Sequence, residues 1–252
     1  MSLTEVQLYS FPTSPYGMKV ACYLGYKKIA YDFVGVSPIT FKQIAFADKK
    51  QVPLLQINDE WRFESSEIGL WLDKVFTDLP LLPTEPSEQK LVLEIDQWIS
   101  DQLIPAMFRF TVDWPSKIMG LQNGWKLAKA VHQATPMPLW VRFLWPLFIR
   151  KAKFIVAMVK HLNSPLSLKG MQEKNREQFL KYLNGGPFLG GLSKPSLADF
   201  SAFPIIVFPH RFGLQGDDGW YANKEIVDWV IAVQKNLPEN PFLVSQKLLP
   251  KY

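Results

Sequence analysis

VPLLQINDEWRFESSEIGLWLDKVF, residues 52–76, changes its hydrophobic period halfway along, and that change decides the fold. PLLQI reads as a strand, NDE as the turn that reverses it, and WRF as the returning strand of a hairpin. Behind the hairpin, Ile68, Trp71, Leu72 and Val75 fall at helical spacing, with Ser65 placed as the helix cap. Upstream, VQLYS is a short buried strand. Pro15 sits just inside a helix start with Ser14 as its N-cap. Met18, Ala21, Cys22, Leu24 and Gly25 give that helix a small, apolar inner face. Residues 30–36, AYDFVGV, are a second strand, and residues 41–47 a short second helix. The order is β-α-β-α-β-β-α. The first two strands, joined by a helix, are expected to be parallel and the last two antiparallel.

Downstream, the periodicity stops at DLPLLPTEPSEQK. Its prolines and its few apolar residues mark a linker. Beyond it every pattern is helical: one long helix over 91–107, part of another over 125–132, and a very apolar stretch over 140–162. Further helices are expected over 172–184, 196–208 and 224–235. The division that follows is an α/β domain over 1–79, a linker over 80–90 and an all-α domain over 91–252.

Composition narrows the function classes. Hydrophobic residues make up 48% of the 252 and aromatics 14%, enough for a substantial core. Cys22 is the single cysteine, so no internal disulfide can form. On the inner face of the first helix it reads as a small core residue. No Cys/His cluster offers a metal site, and His132, His161 and His210 are scattered. The N-terminal MSLTEVQLYSF has no basic n-region and no apolar h-region, so a cytoplasmic location is expected. The formal charge is +5, unevenly placed: residues 104–170 hold ten Lys and Arg against one acid, Asp113. Such a segment favours an anionic partner or surface.

Three local motifs, in order, carry a resemblance to the cytosolic glutathione transferase superfamily. QVPLLQIND is similar to that family's V-P-x-L strand start, FESSEIGLWL to its [EQ]-S-x-x-I-x-x-[YW]-L helix start, and GPFLGGLSKPSLADFSAF to its P-F-(L/M)-x-G-x-x-x-S-x-A-D signature. The likeness spans nearly the whole chain and fails only around residues 115–168. It implies a thioredoxin-like N-terminal domain, an all-α C-terminal domain and glutathione as co-substrate. VSPITFKQIAFADKKQVPLL resembles the branch that holds the type-2 membrane-associated prostaglandin E synthases. That branch carries C-P-F-C where this chain has Ser14-Pro15-Tyr16-Gly17.

The resemblance implies site residues. Val52 and a cis Pro53 would pair main chain to main chain with the cysteinyl unit of glutathione, a form of strand addition. Ser65 would take the γ-glutamyl carboxylate with its hydroxyl and amide, and Glu64 would face the ammonium. Lys50 and Gln51 would reach the glycyl carboxylate. Ser14, at a helix N-terminus, would stabilise the thiolate of glutathione where relatives use a protein sulfur; Thr13 and Tyr9 are the alternatives. Ser196-Leu-Ala-Asp199 reads as a structural capping motif.

The expected activity is that of a glutathione transferase attacking a small apolar electrophile held against the helical domain, with no metal. Two other readings stand beside it. One is a non-catalytic binding module of the same fold, for lipid, haem or a membrane surface. The other is a glutathione-dependent isomerase like the prostaglandin branch. The basic, aromatic stretch over 139–162 reads as ordinary helical packing that lines the cleft, as a homodimer surface, or as a peripheral membrane contact. Base-stacking motifs are missing from it, which argues against nucleic acid.

Overall fold

The computed structural model describes residues 4–216 and 219–250. Strand β1, Val6–Ser10, has the bounds its sequence suggested, and helix α1, Pro15–Tyr26, follows with Pro15 in its first turn. The Ser14 hydroxyl accepts from the Gly17 amide at 3.2 Å, a side-chain N-cap. Strands β2 (Asp32–Gly35), β3 (Leu54–Ile57) and β4 (Glu60–Arg62) complete a sheet of order β2-β1-β3-β4. β1 runs parallel to β2, with Leu8 opposite Phe33, and antiparallel to β3, with Leu8 opposite Leu55. β3 and β4 form the expected antiparallel hairpin.

Two local expectations change. Residues 41–47 form only a 3-10 turn, Lys42–Ile44. Phe41 precedes it in the left-handed region at φ 53°, and Ser37 holds the bend by accepting from the Ile39 and Thr40 amides. Helix α2, Ser65–Val75, has Glu64 at its cap position, so Ser65 is the first helical residue and not the cap. No side chain caps α2, which leaves its first-turn amides without a cap acceptor.

Helix α3, Pro86–Trp98, begins inside the stretch read as linker, again with a proline in its first turn. The single helix expected over 91–107 is three pieces: α3, a π-helical segment Ile99–Leu103, and α4, Ile104–Asp113. Pro105 has no amide to continue the α ladder, and the wider turn falls just before it. Helices α5 (Lys117–Ala134), α6 (Leu139–Arg150), α7 (Lys153–Leu162) and α8 (Leu168–Leu183) follow. Then come α9 (Leu197–Arg211) and α10 (Lys224–Gln234). No helix among the described residues is long and apolar enough to cross a membrane.

α9 is the buried spine, packed against both α1 and α3. One continuous core runs from Leu8 and Leu24 through Ile68 and Ile95 to Phe200 and Trp229, so the two domains share it. Cys22 lies fully buried within it, and burial pushes its thiol well above the ordinary range. A smaller cluster of Ala128, Val131, Met137, Val141 and Trp145 joins α6 to α5.

The capping box at Ser196 is present. Asp199 accepts from the Ser196 amide (2.9 Å), the Leu189 amide (2.9 Å) and the Trp229 indole (2.8 Å). Burial nevertheless raises its carboxyl from 3.8 to about 6, the hydrogen bonds only partly opposing it. The folded state therefore holds this proton more tightly than the unfolded chain. Its contribution to stability is full below pH ~4 and is lost as pH rises through about 6. Asp199→Asn removes one acceptor from the box and is expected to cost about 1–3 kcal/mol at neutral pH. The gap between the two proteins should widen as pH falls from about 6 to about 4, read by urea denaturation across that range.

Candidate functional site

The β3 start, the α2 start and α3 converge on a cleft of about 1200 Å³ between the domains. Lys50, Gln51, Val52, Pro53, Glu64 and Ser65 all line it, so every residue expected to bind glutathione opens onto one space. The Val52–Pro53 peptide is cis. Asp96, Ser100, Asp101 and Pro105 form the opposite wall, and Phe154, Met158 and His161 of α7 its upper side.

Ser65 is 5% exposed, and its hydroxyl has no protein partner among the described residues. Beside it Glu64 holds φ 59° and ψ 110°, outside the common basins for a residue with a side chain. Gln51 steadies the Glu64 carboxylate, donating from Nε2 at 2.6 Å. A helix start with no side-chain cap, a hydroxyl and a nearby carboxylate can hold an amino acid's two charged groups at once.

The three candidate activators lie in different places. Ser14 is 9% exposed and is not among the residues that line the cleft, although Phe11 and Tyr16 on either side of it are; its oxygen accepts from the Gly17 amide. Thr13 faces a second cavity, of about 170 Å³, inside the helical domain between α4, α5 and α9. Tyr9 belongs to the cluster on the other side of the sheet with Val36, Ile44 and Leu54. Its phenol sits against Gln7 and Gln56, away from the cleft.

Two features of the site escaped the sequence reading. Tyr16 lines the cleft and donates its hydroxyl to the Ser100 carbonyl at 3.2 Å. Burial, then the carboxylates of Asp101 and Glu64, push that phenol above its ordinary range, so it stays a protonated donor. The other is a buried ion pair under the cleft floor. Lys19 Nζ donates to Asp96 Oδ1 and to the Ser100 hydroxyl, each at 2.9 Å, and both charged side chains are nearly inaccessible. Ser66, next to Ser65, and Ser201 also donate to the Asp96 carboxylate. The available signal was Lys19 itself, the one charge in an otherwise neutral α1.

The fourth position of the turn is closed to a side chain. A Cβ on Gly17 would collide with Ser10 Oγ and Cβ and come within 3.2 Å of Leu243. Ser10 is fully buried, and its hydroxyl has no partner among the described residues. A thiol at 17 thus requires another residue at 10. Gly17→Ala should lower stability by about 1–3 kcal/mol through overpacking. Adding Ser10→Gly should restore most of it, and an unmoved urea midpoint in the single variant would contradict this packing.

Comparison with known proteins agrees with the architecture. Residues 8–79 match the model of the glutathione S-transferase N-terminal domain. The chain is 22% identical over 277 positions to prostaglandin E synthase 2 of Danio rerio, covering 92% of this chain and 71% of that protein. It is 28% identical over 113 residues to glutathione S-transferase U1 of Arabidopsis thaliana, covering 43% of this chain and 50% of the other. Among solved structures, a glutathione S-transferase from Rhodospirillum rubrum superposes with TM-score 0.60 at 15% identity, over 96% of this chain and 97% of that one.

Proposed function

We propose that this chain, which belongs to the glutathione transferase superfamily, binds glutathione in the inter-domain cleft and activates its thiol for attack on an apolar electrophile. The observation that carries the reading is the convergence of the Val52–Pro53 main chain, Glu64 and the uncapped start of α2 at Ser65 on one cavity. In this reading the γ-glutamyl carboxylate takes the Ser65 hydroxyl and the first-turn amides, and the ammonium faces Glu64 with Asp101 nearby. The cysteinyl unit pairs with the main chain of Val52. Lys50 meets the glycyl carboxylate.

The sulfur then falls toward the N-terminus of α1. There Ser14 donates its free hydroxyl proton and the helix end adds positive potential, both favouring thiolate over thiol. Tyr16 forms the cleft wall as a protonated phenol. Phe154 and Met158 supply an apolar face for the electrophile. The step needs no redox partner: the thiol proton leaves to solvent before attack, and as sulfur bonds to carbon the electrophile either releases its leaving group with the bonding pair or opens a π bond onto an atom that then takes a proton from solvent.

Calorimetric titration with glutathione should give saturable binding. Ser65→Ala should weaken it by about tenfold, the worth of one hydrogen bond to a charged group. No binding at millimolar glutathione would end this reading. Ser14→Ala should raise the pKa of the bound thiol by about 1–2 units, since a hydrogen bond to a charge is worth about 1.5–3 kcal/mol. The check is thiolate absorbance of the complex across a pH series. An unchanged profile in Ser14→Ala with a shifted one in Tyr16→Phe would transfer the role to Tyr16.

A further inference from the structure

Helix α6 turns an apolar face to solvent. Of its twelve residues, LWVRFLWPLFIR, only Val141, Trp145 and Pro146 are buried, against α5. Leu139 is 75% exposed, Trp140 62% and Phe143 67%, and Leu144, Leu147 and Phe148 are exposed with them. These six recur at i, i+1, i+4, i+5, i+8 and i+9, which places them on one continuous side of the helix. Trp125 of α5 extends the patch: its ring stacks on Phe143 at 5.9 Å, and it is itself exposed. A helix apolar on both sides but buried on one calls for an occupant of the other.

Charge selects that occupant. No Asp or Glu occurs between Asp113 and Glu173. Lys151 and Lys153 are exposed where α6 gives way to α7, and Lys160 is exposed further along α7. A symmetric pairing of two copies through this face would bury apolar surface but bring together two segments that hold lysines and no acids to pair with them. A surface with negative headgroups above a hydrocarbon layer matches both halves of the pattern. Exposed indole rings at 125 and 140 suit the boundary between those layers.

We propose that α6 and its flanking lysines dock the protein on an anionic lipid surface. The helix lies in the plane of the interface, with Trp140, Phe143, Leu147 and Phe148 entering the headgroup boundary and Lys151 and Lys153 on the phosphates. At twelve residues it cannot span the bilayer. This goes beyond glutathione chemistry and does not depend on it.

The test is sedimentation of the full chain with phosphatidylcholine vesicles, with and without phosphatidylglycerol. Binding is expected with the anionic vesicles, accompanied by a blue shift of tryptophan emission, and should fade as salt is raised. Phe143→Glu should abolish it. Lys151→Gln with Lys153→Gln should weaken it by about tenfold or more, each charge being worth about fivefold. All three side chains are exposed, and circular dichroism would verify that the variants keep the fold. A chain that stays in solution with anionic vesicles overturns the proposal. So does binding that Phe143→Glu leaves unchanged. A dimer that Phe143→Glu splits, in a chain that ignores vesicles, would assign the face to a second copy instead.

Discussion

Lys19 and Asp96 form an ion pair almost wholly removed from water, and four helices are fastened to it. Lys19 belongs to α1 and Asp96 to α3, and the hydroxyls of Ser66 in α2 and Ser201 in α9 close on the same carboxylate. Stripping two charges of water costs several kcal/mol each, and Coulomb attraction alone does not reliably offset it. The three serine hydroxyls around the pair and the Tyr23–Ser201 contact at 2.6 Å supply the remaining partners. The arrangement contributes more to orientation than to net stability. It fixes the angle between the sheet domain and the helical domain, and with it the width of the cleft.

The site is a consequence of that angle. Ser66 is tied to Asp96, so the first turn of α2 faces across the cleft at α3. Lys27 repeats the device at the other end of α1, bonding Asp73 at 2.8 Å and the carbonyls of Asp78 and Leu79. Asp73 in turn accepts from the Leu81 and Leu82 amides, which pins the chain as it leaves the first domain. Two buried lysines, one within α1 and one at its C-cap, thus fasten that helix to its neighbours near both ends.

Much of this was legible from local rules. VQLYS, the Ser14 cap, the hairpin and the Ser196 capping box rest on short-range patterns, and the structure reproduces them. The gathering of Val52, Pro53, Glu64 and Ser65 in one cleft is what the family resemblance implied. What was not legible depends on contacts remote in sequence or on single-residue boundaries. Ser65 moved from cap to first helical residue because Glu64 takes the unusual dihedrals instead. The long helix over 91–107 is interrupted by the π-helical segment Ile99–Leu103 just before Pro105, which period alone did not register. Tyr16 and Asp96 gained their roles only when α3 was laid against α1, and no pattern within either helix announces that contact. For 139–162 the sequence left packing, a homodimer surface and a membrane contact all open, because an apolar run does not say which of its sides has no neighbour until the fold is known.

The uncapped start of α2 has one further effect. Most helices carry their own cap, so their first turn is complete as soon as the chain folds. Here no side chain supplies the capping acceptor. A carboxylate that settles on Ser65 is then, in structural terms, the missing residue of the helix. It arrives from solution and can leave again. If such a ligand binds only the folded chain, the resistance of the fold to heat would rise with its concentration by mass action.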